Sequence, residues 1–405
     1  MQTVSHGGFV KGSRINFRTI LVKGILWALI GAFLGFAVSE FTDKNITSEV
    51  AAAIVSGHSE FVEYYEAKSK SDAAFAEFDD EYKKWCRKNH EKYGEEGVLG
   101  EYLLSDDVSA KARDSIEEYF EYEDEADAAL VEVYVDEYNE DGDDFGAALA
   151  SVSRTGTAMW SAIIALFVGL SLGIGEGVYY GSKEKALKYA LIGAGVSLII
   201  GYFSGYLAQW MYSEMLSDDP AKFTAAFVRG LGWAIMGIGI GLSVGLIKPE
   251  VKRILFCTIG GMVGAFIGGF LFNFVCDIIP SDVVARGTAI VIMGILIGIG
   301  VGLLEQFAKA AWLKVVRGEF EGKEYLVFAG TTSIGNDGRN TIVLFKDKLV
   351  ASHHCDIVLE GSKYVLIDAG TPMGTIVNGQ RAFRHILRQG DAIAIGNSVL
   401  VFNNK

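Results

Sequence analysis

Proline and cysteine are scarce in this chain, with four of each among 405 residues. Cys86, Cys257, Cys276 and Cys355 are scattered and form no CxxC pair, which excludes a disulfide framework and the common zinc spacings. Histidine is rare as well, and the six present suggest no Ser/His/Asp arrangement. His353, His354 and Cys355 are adjacent, but neighbours on a strand point to opposite faces and make no metal site by themselves. There is no Walker glycine loop, and the glycine pairs in the apolar runs fit Gly-x-Gly-x-x-Gly only because glycine is so frequent. The sequence therefore predicts no enzyme, no cofactor and no resident metal.

What the chain has is apolar surface and glycine: 50% hydrophobic residues, a mean hydropathy of +0.29 and 49 glycines. That is too apolar for an ordinary soluble protein. The net charge of −14 conceals an asymmetry. Residues 42–155 hold 31 Asp and Glu against 11 Lys and Arg, a balance of −20 that leaves +6 elsewhere. An acidic block beside a basic, apolar remainder points to two sides of a membrane and not to a nucleic-acid binder.

Apolar runs of spanning length occur at 20–41, 157–180, 187–211, 224–247, 254–278 and 287–308, which predicts six transmembrane helices. The first run lacks a small-x-small cleavage site, so it is expected to span and not to be removed as a signal peptide. Every second connection is basic: Lys11, Arg14 and Arg18; Lys183, Lys185 and Lys188; Lys248, Lys252 and Arg253; Lys309, Lys314 and Arg317. Both termini are thus expected in the cytoplasm, at the inner cell membrane, with the acidic block outside. Arg229 and Arg286 run against this trend.

The runs contain an internal repeat. VKGILWALIGAFLGFAV at 22–38 matches VRGLGWAIMGIGIGLSV at 228–244, and RGTAIVIMGILIGIGVG at 286–302 matches the latter again. Small residues also recur every fourth position, as at Gly169, Gly173 and Gly177, and at Gly260, Gly264 and Gly268. Such stripes let helix backbones approach closely in lipid, and they suit contacts between protomers as well as within one. Copies that cross the membrane in opposite directions would form an inverted repeat, which keeps a transporter or channel subunit as the alternative function. Glu176 and Glu305 fall at the cytoplasmic ends of their helices, where each is expected to reach water, and Lys23 is expected to snorkel.

The acidic block, 42–155, reads as a small helical domain, with Phe61, Tyr64 and Tyr65 on one side and Ile116, Tyr119, Phe120 and Leu130 continuing a stripe. NHEKYGEEGVLGEY and YNEDGDDFG read as loops. The second fails as a calcium loop, because setting Gly142 at the sixth position puts Ala148 where a bidentate glutamate belongs. Asn45-Ile46-Thr47 has the glycosylation pattern.

Beyond the last span, within 309–405, the segments EYLVFAG, NTIVLF, HCDIVLE, KYVLIDAG, GTIVNG, DAIAIG and SVLVFN predict a small all-β sandwich from about residue 318. Their order resembles a forkhead-associated (FHA) domain. Ile334-Gly335, Asn340 with Ile342-Val343-Leu344, His354, Gly374-Thr375, Val377-Asn378-Gly379, Gly390-Asp391 and Ile395-Gly396 match the motifs of that family. Six apolar runs ahead of such a module resemble bacterial multi-pass membrane proteins with a C-terminal, degenerate FHA domain.

The resemblance implies a module that binds phosphothreonine, chiefly through the arginine of Ile-Gly-Arg and the serine of Ser-x-x-His. A guanidinium can grip two phosphate oxygens and a hydroxyl adds a donor. Here those positions are Asn336 and Ala351, and Met373 replaces an asparagine that orders the peptide. Gly335, His354, Gly374, Asn378 and Gly379 keep the structural part. Asn336, Arg339, Ser352, His353, Thr371 and Met373 form the expected partner edge, with Lys346 and Lys348 bordering it. The prediction is a membrane-anchored scaffold or signalling adaptor that recruits a cytoplasmic protein without the standard phosphothreonine contacts; a threonine-phosphorylated partner is the alternative.

Overall fold

The computed structural model describes residues 20–45, 48–93, 99–180, 182–215, 221–279, 281–308, 310–327 and 330–404. The basic segment 1–19, Lys309, Ile46-Thr47 of the glycosylation pattern, and parts of NHEKYGEEGVLGEY and SEMLSDDPAK lie outside the described residues.

Among the described residues, six helices are long and apolar enough to cross a membrane. The first is a π-helical turn, Ile20–Ile25, running into α1, Leu26–Asn45. Three helices of the acidic block follow as α2 (Ser48–Ser56), α3 (Val62–Tyr93) and α4 (Leu99–Leu103), then α5 (Ala110–Glu132). The remaining spans are α6 (Gly142–Tyr179), α7 (Lys183–Met215), α8 (Lys222–Leu246), α9 (Val251–Ile278) and α10 (Asp282–Ala308). Each span packs on its neighbours in sequence, and the last closes on the first. The centre is filled by Ala32, Ile164, Val168, Met236, Ile240, Met293 and Ile297, all buried.

The repeated motif does the same job in all three copies. Gly31 and Gly35 of α1 face Val168 and Ile164 of α6, and Gly237 and Gly241 of α8 face Gly261 and Cys257 of α9. Gly294 and Gly298 of α10 face Ala28 and Gly24 of the first span. In each case a Cβ would run into the facing helix, so the absence of a side chain is what allows the close approach. The two arginines that oppose the charge trend are held locally. Arg286 pairs with Glu40 at 3.0 Å, and Arg229 lies 4.7 Å from the Phe272 ring centroid.

The acidic domain is helical, as expected. Helix α6 runs unbroken from Gly142 to Tyr179, so the domain's last element and the second span are one 38-residue helix. Asp141 caps it, accepting from the amides of Asp143 and Asp144, and those two acids favour the positive end of the helix dipole. DGDDF is therefore a helix start and not a loop. One core joins Ala52, Ala53, Phe61 and Val133 to Ala148 and Val152 of α6, and a second joins Phe78, Trp85, Tyr102 and Ile116. Phe120, expected on the buried stripe, is exposed, because the α3–α5 contact turns Ile116 and Tyr119 inward instead.

The C-terminal unit has two sheets. One orders β2-β1-β11-β10-β7-β8 and the other β4-β3-β5-β6-β9. The first comprises β1 (Ala311–Arg317), β2 (Glu324–Val327), β7 (Ile376–Val377), β8 (Gln380–Arg381), β10 (Ala392–Ile395) and β11 (Ser398–Asn404). The second comprises β3 (Thr332–Gly335), β4 (Ile342–Val343), β5 (Cys355–Glu360), β6 (Lys363–Asp368) and β9 (Arg384–Ile386). Strand β1 extends the sandwich toward the membrane beyond the expected start near 318. Ala311, Leu313 and Val315 alternate inward while β1 pairs antiparallel with β11. The core between the sheets includes Leu313, Ile334, Ile357, Leu366, Ile393 and Phe402, and it takes in Tyr179 and Tyr180 from the end of α6.

Candidate functional site: the edge of the sandwich and the charge cluster beneath it

At the loop edge of the sandwich, Gly335 lies against the Ser352 carbonyl and the Asn340 side chain, with no room for a Cβ. This brings the loop after β3 against the loop before β5. Asn340 fastens the two, its amide donating to the carbonyls of Asp337 (2.9 Å) and Ser352 (2.5 Å). The buried His354 accepts from the Ala351 amide at 3.1 Å and lies 3.3 Å from both the Gly374 carbonyl and the Thr371 hydroxyl. Asn378 and Gly379 have φ of +50° and +84°, forming the tight turn between β7 and β8. Asn378 also donates to Asp391 at 2.8 Å and accepts from the Ala392 amide. The five residues expected to be structural therefore hold the frame of the edge.

The residues expected to face a partner divide. Asn336, where the family carries its arginine, turns inward and donates to the Asp347 carbonyl at 3.0 Å. Arg339 is highly exposed, but Asp337 fills its fork, with Nε at 3.0 Å and the second nitrogen at 3.1 Å from the two carboxylate oxygens. These bonds from Arg339 hold the Asp337 carboxyl below its ordinary pKa. His353 is engaged through both ring nitrogens, at 3.0 Å to Asn340 and 3.0 Å to Asp356. Ser352 and Met373 stand exposed at the rim. Thr371 corrects the expected edge: it is buried, bonded to His354 and to Asp368, because the frame needs its hydroxyl as a bridge. Asp337 was not among the expected residues, and its position two residues before Arg339 was the available signal.

Beneath the sandwich lies a second constellation. Lys23, Glu176, Arg253 and Glu305 come from four different spans and meet within the bundle, each under a tenth exposed. Lys23 stands 2.6 Å from Glu176 and 3.1 Å from Glu305. Arg253 stands 3.0 Å and 3.1 Å from the same two carboxylates. The expectation that the glutamates reach water and that Lys23 snorkels is thus overturned, because two cations and two anions compensate one another inside. Tyr180 roofs the cluster, with the Lys248 amine 2.9 Å and the Lys23 amine 5.5 Å from its ring centroid. Burial holds the Lys248 amine well below its ordinary pKa.

The sandwich sits directly on this roof. Tyr179 donates to the Glu324 carbonyl at 2.7 Å, Lys323 donates to the Tyr179 carbonyl at 2.9 Å, and the Tyr180 and Tyr325 rings lie 5.9 Å apart. The acidic domain and the sandwich therefore occupy opposite ends of α6.

Residues 332–396 match the model of the FHA domain family, and the C-terminal sandwich is an FHA domain, a class of protein-interaction module. The glycogen accumulation regulator GarA of Mycolicibacterium smegmatis is 36% identical over 93 residues, covering 23% of this chain and 58% of that protein. The oxoglutarate dehydrogenase inhibitor of Corynebacterium jeikeium is 35% identical over 95 residues, covering 24% of this chain and 65% of its own length. The chain thus spans less than two thirds of either relative, and each likeness covers about a quarter of this chain. A solved chain from work on phosphothreonine-dependent FHA domain interactions aligns at 26% identity and a TM-score of 0.23, covering 24% of this chain and 98% of that one.

Proposed function

We propose that the protein is a scaffold or signalling adaptor at the inner cell membrane, and not an enzyme, and that its FHA domain recruits a cytoplasmic protein. The carrying observation is the edge itself: the family's frame is intact while Asn336 is turned inward and the Arg339 fork is filled by Asp337. Recruitment then depends on shape and on displaceable polar contacts, without the standard phosphothreonine grip. Lys183, Lys185, Lys188 and Lys252 at the starts of α7 and α9, with Lys248 between α8 and α9, gather on the FHA side, which supports a cytoplasmic placement of that domain and of both termini. A chain filling its own bundle centre with apolar side chains suits an anchor.

The test is to titrate the full chain in lipid nanodiscs with matched pools of degenerate peptides carrying a fixed threonine or phosphothreonine. Affinities within about twofold of each other, hence less than about 0.5 kcal/mol, are expected. A strong preference for phosphothreonine that vanishes in Arg339→Ala would overturn the phosphate-independent reading. The second reading, a transporter or channel subunit with a regulatory FHA domain, draws on the buried charge cluster shared by four spans. Ion flux from reconstituted liposomes would establish it.

A further inference from the structure

Two contacts fix the FHA domain on the bundle, and the second involves the edge that faces ligands in this family. Besides the Tyr179 and Tyr325 contact, residues 337–340 lie on residues 182–185, where Ser182 leads into the first turn of α7. The Lys185 amine donates to the Asn340 carbonyl. A Cβ placed on Gly338 would stand 3.9 Å from the Cβ of Ser182, itself buried. The charges also correspond: Asp337 attracts Lys185, and Glu184 attracts Arg339.

We propose that the recognition loop of the FHA domain, residues 336–340, is shut in cis on residues 182–185 at the start of α7. A protein segment carrying a carboxylate or phosphate takes the edge only by displacing Lys185 and Asp337 and lifting the loop off the bundle. This rests on the recruitment reading above and adds its regulation. This start of α7 lies close in sequence to Tyr180, which roofs the charge cluster, so lifting the loop loosens the cover over Tyr180 and Lys248. The free edge and the closed cluster are then alternative states of one contact.

The contact can be trapped. The Ser182 to Gly338 separation lies in the Cβ range of a disulfide. In full-length chain in nanodiscs, Ser182→Cys with Gly338→Cys is expected to cross-link under mild oxidation, and Lys185→Glu to reduce the yield about fivefold. Ser182→Cys alone should react with a membrane-impermeant maleimide about tenfold more slowly than Lys183→Cys, its exposed neighbour. A missing cross-link, or equal labelling of the two single variants, overturns the docking.

The same oxidised double variant should capture the phosphothreonine and threonine peptide pools about fivefold less than its reduced form. Equal capture by both forms overturns the claim that docking blocks the edge, while leaving recruitment intact. Capture by neither form sinks recruitment, and the docking is then decided by the cross-linking and labelling results.

Discussion

Arg253 and Glu305 are 52 residues apart in sequence and 3.1 Å apart inside the bundle. Both side chains are buried, and they pair with each other and with Lys23 and Glu176. Removing one member of a buried ion pair leaves an uncompensated charge, at a cost of roughly 3–5 kcal/mol. Arg253→Met should therefore lower the unfolding midpoint of the full chain in nanodiscs markedly. Adding Glu305→Gln to that variant should recover part of the loss. A midpoint for Arg253→Met equal to that of the unmodified protein would mean that the four charges are individually solvated.

Close approach of helices through glycine predicts a sharp contrast between two glycines. A Cβ at Gly237 meets the Gly261 carbonyl and the Ala265 side chain, whereas Gly195 has nothing within 4 Å. Gly237→Val should destabilise by about 1–3 kcal/mol. Gly195→Val should stay within about 0.5 kcal/mol. Thermal scans of the two variants side by side decide the matter, and equal effects would contradict the packing.

The turn of Asn378 and Gly379 is tied down through Asp391, which predicts acid sensitivity in the FHA domain. Burial opposes the charge of Asp391, but bonds from the Arg388 amide, Asn378 and His385 outweigh it and hold its pKa below the ordinary carboxylate value. A depressed pKa in the folded state contributes stability above the unfolded value near about 4. That contribution is lost as pH falls through the lower, folded value. Hydrogen exchange at β10 should accelerate across that acid window, and Asp391→Asn should remove the pH dependence at a cost of about 1–3 kcal/mol. An unchanged exchange profile in the variant would place the sensitivity elsewhere.

Asp141 gives a fourth test on the other side of the bundle. As the cap of α6, its loss in Asp141→Ala should cost about 1 kcal/mol, local to the first helical turn. Exchange at residues 142–146 should rise while the spans stay protected. A calcium role for this acidic stretch would instead show as protection on adding calcium.

The six spans, the helical acidic domain and the FHA domain were legible in the sequence because each imposes a local pattern: apolar length, acid-aromatic alternation, and short strands with conserved-looking turns. The glycine motif was legible too, down to its three copies. The charge cluster was not, since Lys23, Glu176, Arg253 and Glu305 are spread over 282 positions and only the ring of helices brings them together. Strand β1 lies ahead of the expected start near residue 318 because its partner, β11, is at the far end of the domain. Thr371 sits in a loop next to the exposed Met373, and nothing in its own neighbourhood announces that its hydroxyl faces His354. The Asp337 to Arg339 pair shows a related limit: spacing revealed the arginine without revealing that its fork was filled.

Helix α6 has a mechanical consequence. Its 38 residues, at about 1.5 Å each, make a shaft roughly 57 Å long with no break. One end is gripped in the core of the acidic domain by Ala148 and Val152, and the other is bolted to the FHA domain by Tyr179 and Tyr180. One unbroken helix is therefore shared by the cores of both outlying domains, so neither can swing about α6 without opening its own core.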